Sequence, residues 1–209
     1  MNLHAAKAMP EWLDVSRETF AFLDQFFDLV VKWNPAINLV SRRSVPDLWD
    51  RHILDSAQIF SFIPGNARTL VDLGSGGGFP GIILAILAKE CLPHLHVTLV
   101  EADQRKAAFL LQAVRQLSLR CSVVAQRIEA LSPQSADVVT ARALAPMQTL
   151  CGHVARHLHP AGLALVPKGA GTENEIAEAL RIWSFSVTRT PSKSDDSGMI
   201  LAITDLRHV

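Results

Sequence analysis

Residues Thr69–Ala88 read TLVDLGSGGGFPGIILAILA. Four glycines fall within the five residues from Gly74 to Gly78, between one short apolar run and one long one. Leu70 to Leu73 reads as a strand and Phe79 to Lys89 as a helix, so the glycines occupy the turn between them. Glycine permits positive φ and carries no Cβ to block a close approach. Pro80 suits a first helical turn. Ligands of such sheets bind outside the C-terminal ends of the strands, so this turn is read as a ligand loop built on Gly74, Gly76 and Gly78.

Downstream the pattern repeats. Strands are expected at Val97–Val100, Ser122–Ala125, Asp137–Thr140 and Leu163–Val166. Helices are expected at Gln104–Leu117, near Ile128, at Met147–Leu158 and at Thr172–Ala179. The chain ends in two further strand-like runs, Trp183–Thr188 and Met199–Ile203, split by PSKSDDSG. This alternation predicts an α/β fold, a seven-stranded mixed sheet covered by helices on both faces, with the terminal hairpin as its antiparallel edge. Upstream, Pro10–Lys32 is predicted helical from the spacing of Leu13, Phe20, Leu23, Phe27 and Val30, with Pro35 helping to end it. A second helix is read in LWDRHILDSAQIFSFI, stopped by Pro64-Gly65. Residues 1–66 therefore form an expected helical extension, and 67–209 the sheet domain.

The strand after the glycine loop ends in TLVEAD, which puts Glu101 at its tip. A carboxylate there can accept hydrogen bonds from both hydroxyls of a ribose, and Asp72 lies just upstream of the loop. A glycine loop on one strand and an acid on the next point to an adenosine-containing cofactor. NAD and S-adenosylmethionine both fit this outline. The G-x-G-x-G spacing, in place of G-x-G-x-x-G, favours the methyl donor, which has no pyrophosphate to seat. Ile128 either packs on an adenine face or fills the core, and Glu129 or its backbone can meet the adenine edge.

Composition sets outer limits. The 209 residues carry 20 basic and 20 acidic side chains, so the formal net charge is zero and a strongly basic nucleic-acid coat is excluded. Cys91, Cys121 and Cys151 are far apart and odd in number, which argues against a zinc site or disulfide framework and for a reducing, cytoplasmic setting. The N-terminus lacks the apolar core of a signal peptide. The apolar run Ile82–Ala88 is too short to span a bilayer.

With these residues in view, the chain resembles the bacterial small-subunit (16S) ribosomal RNA guanine-N7 methyltransferases, the RsmG or GidB family. The resemblance is carried by NPAINLVS at 34–41, RHILDS at 51–56, VDLGSGGGFPG at 71–81, EADQRKAAFL at 101–110, ARAL at 141–144 and PKG at 167–169, in family order. Two small departures are Thr140-Ala141, where serine is commoner, and Asp103, where a serine is more usual.

The resemblance implies a Rossmann-like class I fold dependent on S-adenosylmethionine. It implies methyl transfer to N7 of a guanine in small-subunit ribosomal RNA, free or in the assembled 30S particle, by a monomer that needs neither metal nor membrane. The implied cofactor residues are Asp72, Gly74, Ser75, Gly76, Gly78, Phe79, Glu101, Ile128, Glu129 and Arg142. Arg142, after the fourth strand, is the implied catalytic contact, to guanine O6 or to a phosphate; a guanidinium suits both. Substrate contacts are placed at Asn38, Arg42, Arg51, His52, Asp55 and Lys168. Asn38 either reaches the base edge or caps a turn, and Phe79 either stacks on a base or packs in the core. Lys168 reads as a phosphate contact or a lid anchor. His52 and Asp55 share a helical face but have no nucleophile beside them, so they are not read as a triad.

Other chemistries fit less well. An exocyclic-amine methyltransferase motif, D/N-P-P-Y/F, is missing after strand four, where the chain reads TARALAP. A cytosine-C5 enzyme needs a cysteine nucleophile, and Cys151 falls inside a predicted helix. A methyltransferase of another RNA, a small molecule or a protein remains the alternative reading. A cofactor-binding or RNA-binding module without turnover is the reading from a different class.

Overall fold

The computed structural model describes residues 9–209; the part of the expected N-terminal extension and of the leader reading that falls on 1–8 lies outside the described residues. Seven strands, β1 (Thr69–Leu73), β2 (His96–Val100), β3 (Cys121–Val124), β4 (Ala136–Ala141), β5 (Leu158–Lys168), β6 (Trp183–Pro191) and β7 (Met199–His208), form one sheet in the order β3-β2-β1-β4-β5-β7-β6. The pairs from β3 through β5 are parallel, and β7 runs antiparallel to β5 and β6. The sheet is therefore mixed and seven-stranded, as expected. Its order reverses between β1 and β4, the crevice where α/β sheets take their ligands.

Consecutive residues face opposite layers. Val138, Leu165 and Ile200 join one core; their neighbours Val139, Val166 and Leu201 join the other. Into the first core pack α1 (Arg17–Ile37), α3 (Gly81–Cys91) and α4 (Gln104–Gln116), through side chains such as Phe26, Ile83 and Phe109. The second is covered by α5 (Met147–His157) and α6 (Thr172–Ala179), through Leu150, Val154 and Ile176. α3 is buried from Gly81 to Ala88, which accounts for its continuous apolar run.

The extension differs from expectation in two places. α1 starts at Arg17, where the Ser16 hydroxyl accepts a hydrogen bond from the Thr19 N–H, and it runs through Pro35 to Ile37. Proline in the last turn removes one hydrogen bond without ending the helix. The stop is Asn38, at φ 48°, whose N–H reaches the Asn34 carbonyl. The second expected helix is three pieces: a π-helical turn over Trp49–Leu54, α2 (Asp55–Ala57) and a 3₁₀ segment over Gln58–Phe62. A π turn is a rare geometry that concentrates at functional sites, and here it carries RHIL. Among the described residues no helix is long and apolar enough to cross a membrane.

Candidate active site

The glycine loop leaves β1 with Gly74, Gly76 and Gly78 all at positive φ, 68°, 55° and 91°. Gly74 at its start and Gly78 at its end are also crowded: an added Cβ would meet Leu144 at 2.6 Å or Ile82 at 2.8 Å. Ser75 is fixed twice, by its N–H to the Val100 carbonyl at 2.9 Å and its hydroxyl to the Asp72 carbonyl at 3.0 Å. The Phe79-Pro80 peptide is cis, and Pro80 sits immediately before Gly81, the first residue of α3.

Glu101 follows β2 with its carboxylate aimed by the backbone. Oε2 accepts from the Gly76 N–H and Oε1 from the Asp103 N–H, each at 2.8 Å. Each oxygen keeps further acceptor capacity for a ligand hydroxyl. Asp72 is fully buried and accepts from the Thr140 hydroxyl at 2.8 Å and the Gly81 N–H at 3.2 Å, at the start of α3. Burial pushes its carboxyl up to about 6. The two departures from the family pattern thus have work here: Thr140 anchors Asp72, and the Asp103 carboxylate caps α4 by accepting from the Arg105 and Lys106 N–H groups.

Two cavities open along this edge of the sheet. The smaller, of about 570 Å³, is lined by Gly74 to Gly77, Phe79, Glu101, Ile128 and Glu129, and roofed by Leu39 and Val40. The larger, of about 1050 Å³, lies between Arg51 and Asp55 on one side and the β6–β7 connection, Ser192 and Ser194 to Gly198, on the other. His52 and the stretch Arg142 to Ala145 line both. Ala143 is held at φ 50° in that shared wall, a conformation that non-glycine residues adopt at some cost.

Arg142 is the junction. Its Nη2 donates to the Arg51 carbonyl at 3.0 Å and to His52 Nδ1 at 2.8 Å, while Nη1 stands 3.5 Å from Asp55 Oδ2. The guanidinium can only donate, so His52 Nδ1 is the acceptor and its proton sits on Nε2. Burial, then the charges of Arg142 and Arg51, push the His52 ring down to about 4, so it is neutral through the physiological range.

The residues expected at the site fall between the two cavities, with His52 and Arg142 on both. Gly74, Ser75, Gly76, Phe79, Glu101, Ile128, Glu129 and Arg142 line the smaller cavity; Arg51, His52, Asp55 and Lys168 line the larger. Asp72 holds the start of α3 through the Gly81 N–H and Gly78 closes the loop through the Ser75 carbonyl, and neither lines a cavity. Phe79 is 8% exposed and its ring lies 5.5 Å from Phe26 and 5.2 Å from His52, so it is core and cavity wall at once. Asn38 caps α1, and neither it nor the exposed Arg42 lines either cavity. Lys168 is occupied: Nζ reaches Glu175 Oε2 at 2.6 Å and the Ala145 carbonyl at 3.2 Å, which pins the loop after β4 in the manner of a lid anchor. Neither Cys121 nor Cys151 fits a nucleophilic role. Burial pushes Cys121 up to about 12 and Cys151 to about 11, and Cys151 sits within α5.

Three contributors escaped the motif reading. Asn34, buried in α1, accepts from the Val40 N–H at 2.9 Å and holds the roof of the smaller cavity. Gly77 presses on that roof, and Gln58 joins the hairpin tip to Asp55. The NPAINLVS motif contained Asn34, but nothing local distinguished a buried acceptor from a turn residue.

Residues 20–198 match the family GidB, rRNA small subunit methyltransferase G. The chain belongs to this family. The Ribosomal RNA small subunit methyltransferase G of Cereibacter sphaeroides (strain ATH 2.4.1) is 50% identical over 197 residues, covering 94% of this chain and 96% of the relative. That of Gluconobacter oxydans is 48% identical over 195 residues, covering 93% and 98%. The fold recurs more widely. A TehB-like SAM-dependent methyltransferase from Corynebacterium glutamicum superposes with a TM-score of 0.57 at 16% identity, over 88% of this chain and 98% of that one. The mitomycin 7-O-methyltransferase MmcR gives 0.59 at 17%, over 90% and 68%. The sheet and its helices are thus the class I methyltransferase fold, and family membership supplies the methyltransferase assignment.

Proposed function

We infer that the protein transfers a methyl group from S-adenosylmethionine to N7 of a guanine in small-subunit ribosomal RNA. The observation that carries this reading, beside family membership, is the shared wall: Arg142 and His52 border both cavities, so a donor in one and a base in the other meet at the same side chains.

The smaller cavity suits the methyl donor. The Glu101 carboxylate accepts ribose hydroxyls, Ile128 offers an apolar face to adenine, and the glycine loop leaves room beside Gly76, where a Cβ would touch only the Gly74 carbonyl at 3.7 Å. When bound, S-adenosylmethionine supplies an electrophilic methyl on a sulfonium. N7 of guanine carries a lone pair and no proton, so the chain has no proton to remove. His52 agrees with that demand: its Nδ1 is committed to Arg142, and it serves as a strut for the guanidinium. Arg142 donates toward guanine O6 or the adjoining phosphate, and orientation supplies the bulk of the rate. The methylated guanine is cationic, and Asp55, Asp195 and Asp196 around the larger cavity offset that charge.

The extension up to residue 66 and the sheet domain from 67 onward form the two sides of the substrate cleft. Arg51, Lys106, Arg127, Arg142 and Lys168 line the cavities, whereas Arg42, Arg43 and Arg105 do not. This modest positive set on a neutral chain suits a shaped ribosomal target better than arbitrary RNA. The protein acts as a monomer in the cytoplasm, where that target is found.

The test is to incubate the protein with labelled S-adenosylmethionine and small subunits from cells lacking it, then identify the modified nucleoside by mass spectrometry. 7-Methylguanosine at one position, lost in Arg142→Ala, is expected. Cofactor binding without any RNA product would overturn the substrate and leave a small molecule or protein in its place.

A further inference from the structure

The PSKSDDSG connection between β6 and β7 forms a wall of the larger cavity, although it lies at the far end of the chain from RHILDS. From Ser192 to Gly198 it contains no apolar side chain. Beside the Lys193 ammonium, which lies 4.9 Å from the centre of the Trp12 ring, its seating depends on polar bonds to Gln58, which is 2% exposed. Nε2 of Gln58 has two hydrogens for three acceptors: one donates to Asp55 Oδ1 at 2.9 Å, and the other is shared between Ser192 Oγ at 2.9 Å and Ser194 Oγ at 3.0 Å. Its Oε1 accepts from the Lys193 N–H at 2.7 Å. A flipped amide would set Oε1 against the Asp55 carboxylate and Nε2 against an N–H, so the network fixes the orientation.

Asp55 divides its carboxylate. Oδ1 takes Gln58 and the Ser194 hydroxyl, the latter at 2.9 Å; Oδ2 faces Arg142 Nη1 at 3.5 Å. With Oδ1 held, the carboxylate cannot turn both oxygens onto the guanidinium. Arg142 consequently keeps its bond to His52 at the wall between the cavities. Freed of Gln58 and Ser194, Asp55 would form the two-pronged pair that arginine and carboxylate prefer and draw Arg142 aside.

We propose that Gln58 is a positioning residue for methyl transfer: it locks the β6–β7 tip onto Asp55 and thereby sets the orientation of Arg142. This rests on the functional reading above. Gln58 touches neither cavity's contents and acts only through Asp55 and the tip.

The test begins with Gln58→Glu, which keeps the shape and the acceptor for Lys193 but replaces the donor facing Asp55 with a carboxylate. On small subunits kcat should fall by about tenfold or more, while the dissociation constant for S-adenosylmethionine, measured by calorimetry, rises far less, because the tip does not line the smaller cavity and reaches it only through Arg142. The double variant Asp55→Asn/Gln58→Glu reverses the polarity of the same bond. The introduced amide donates to the introduced carboxylate while the amide oxygen faces Arg142, and part of the loss should be recovered. Ser192→Ala/Ser194→Ala, which leaves the buried amide in place, should lower kcat in the same direction and guards against misfolding of the Gln58→Glu variant. Wild-type kcat and KM in Gln58→Glu and in the double serine variant would overturn the proposal, as would a polarity swap no better than the single change.

A second readout needs no turnover. In the ligand-free protein, the ¹⁵N shifts of the Arg142 guanidinium should change in Gln58→Glu as the group leaves His52 for Asp55; shifts equal to wild type would overturn the coupling. Wild-type protein inactive on small subunits would instead count against the substrate, and the NMR result would still decide whether Gln58 holds Arg142.

Discussion

Gly77 lies against Leu39 so closely that an added Cβ would stand 2.9 Å from the Leu39 carbonyl oxygen and 3.2 Å from its Cβ. The opposing carbonyl is backbone, and the Asn34 side chain holds the next residue by accepting from the Val40 N–H. Neither side has room to yield. Gly77→Ala should therefore destabilise the fold by about 1–3 kcal/mol and weaken S-adenosylmethionine binding, because Leu39 and Val40 roof that cavity. Thermal melting and calorimetric titration measure the two effects. Gly65→Ala, with nothing within 4 Å of the new Cβ, should change neither.

Glu101 accepts the Gly76 and Asp103 N–H groups on opposite oxygens, which orients the carboxylate before any ligand arrives. Hydrogen bonds to a charged group contribute about 1.5–3 kcal/mol each. Glu101→Ala is expected to raise the S-adenosylmethionine dissociation constant by about ten- to a hundredfold. S-Adenosylhomocysteine has the same ribose and should weaken equally. A loss confined to the charged donor would place Glu101 near the sulfonium instead.

The parts of this arrangement that the sequence made legible all sit at the C-terminal ends of parallel strands. Gly74 follows β1, Glu101 follows β2 and Arg142 follows β4; short-range periodicity locates such ends, and the sheet then brings them together. The strand–helix alternation gave both layers of the core for the same reason. Gln58 is another matter. Its partners Ser192 and Ser194 lie 134 and 136 residues away, and a glutamine after RHILDSA carries no local mark of burial. The hairpin tip, polar and turn-like, reads as an exposed loop until β7 is inserted beside β5. Pro35 misled for a physical reason as well: its cost falls on one hydrogen bond near the helix end, and the left-handed Asn38 decides the stop.

Asp72 is buried entirely, and its carboxyl is pushed up from 3.8 to about 6. The folded state then holds this proton more tightly than the unfolded chain. Its contribution to stability is present below about pH 4 and is lost as pH rises through about 6, a change of about 3 kcal/mol. Asp72→Asn keeps an acceptor for the Gly81 N–H and offers a donor to the Thr140 oxygen. In urea unfolding it should flatten the fall in stability between pH 4 and 6 and match or exceed wild type above that range. A slope unchanged by the substitution would assign the titration to another group.

His52 carries the opposite sign. Burial first, then Arg142 and Arg51, depress its ring from 6.5 to about 4, so the unfolded chain takes up this proton more readily than the native protein. Stability from His52 is complete above pH 6.5 and is lost as pH falls through about 4. Protonation would also set an N–H against Arg142 Nη2, where Nδ1 now accepts, and expel the guanidinium from the wall between the cavities. The NMR titration of His52 should therefore have its midpoint near 4 in wild type and move upward in Arg142→Gln, stopping below 6.5 because burial, the larger cause, persists. The same substitution should lower kcat on small subunits by about a hundredfold, with S-adenosylmethionine binding reduced far less. A wild-type midpoint near 6.5 would mean that the His52 ring is neither buried nor bonded to Arg142 in solution, and the junction would need a different strut.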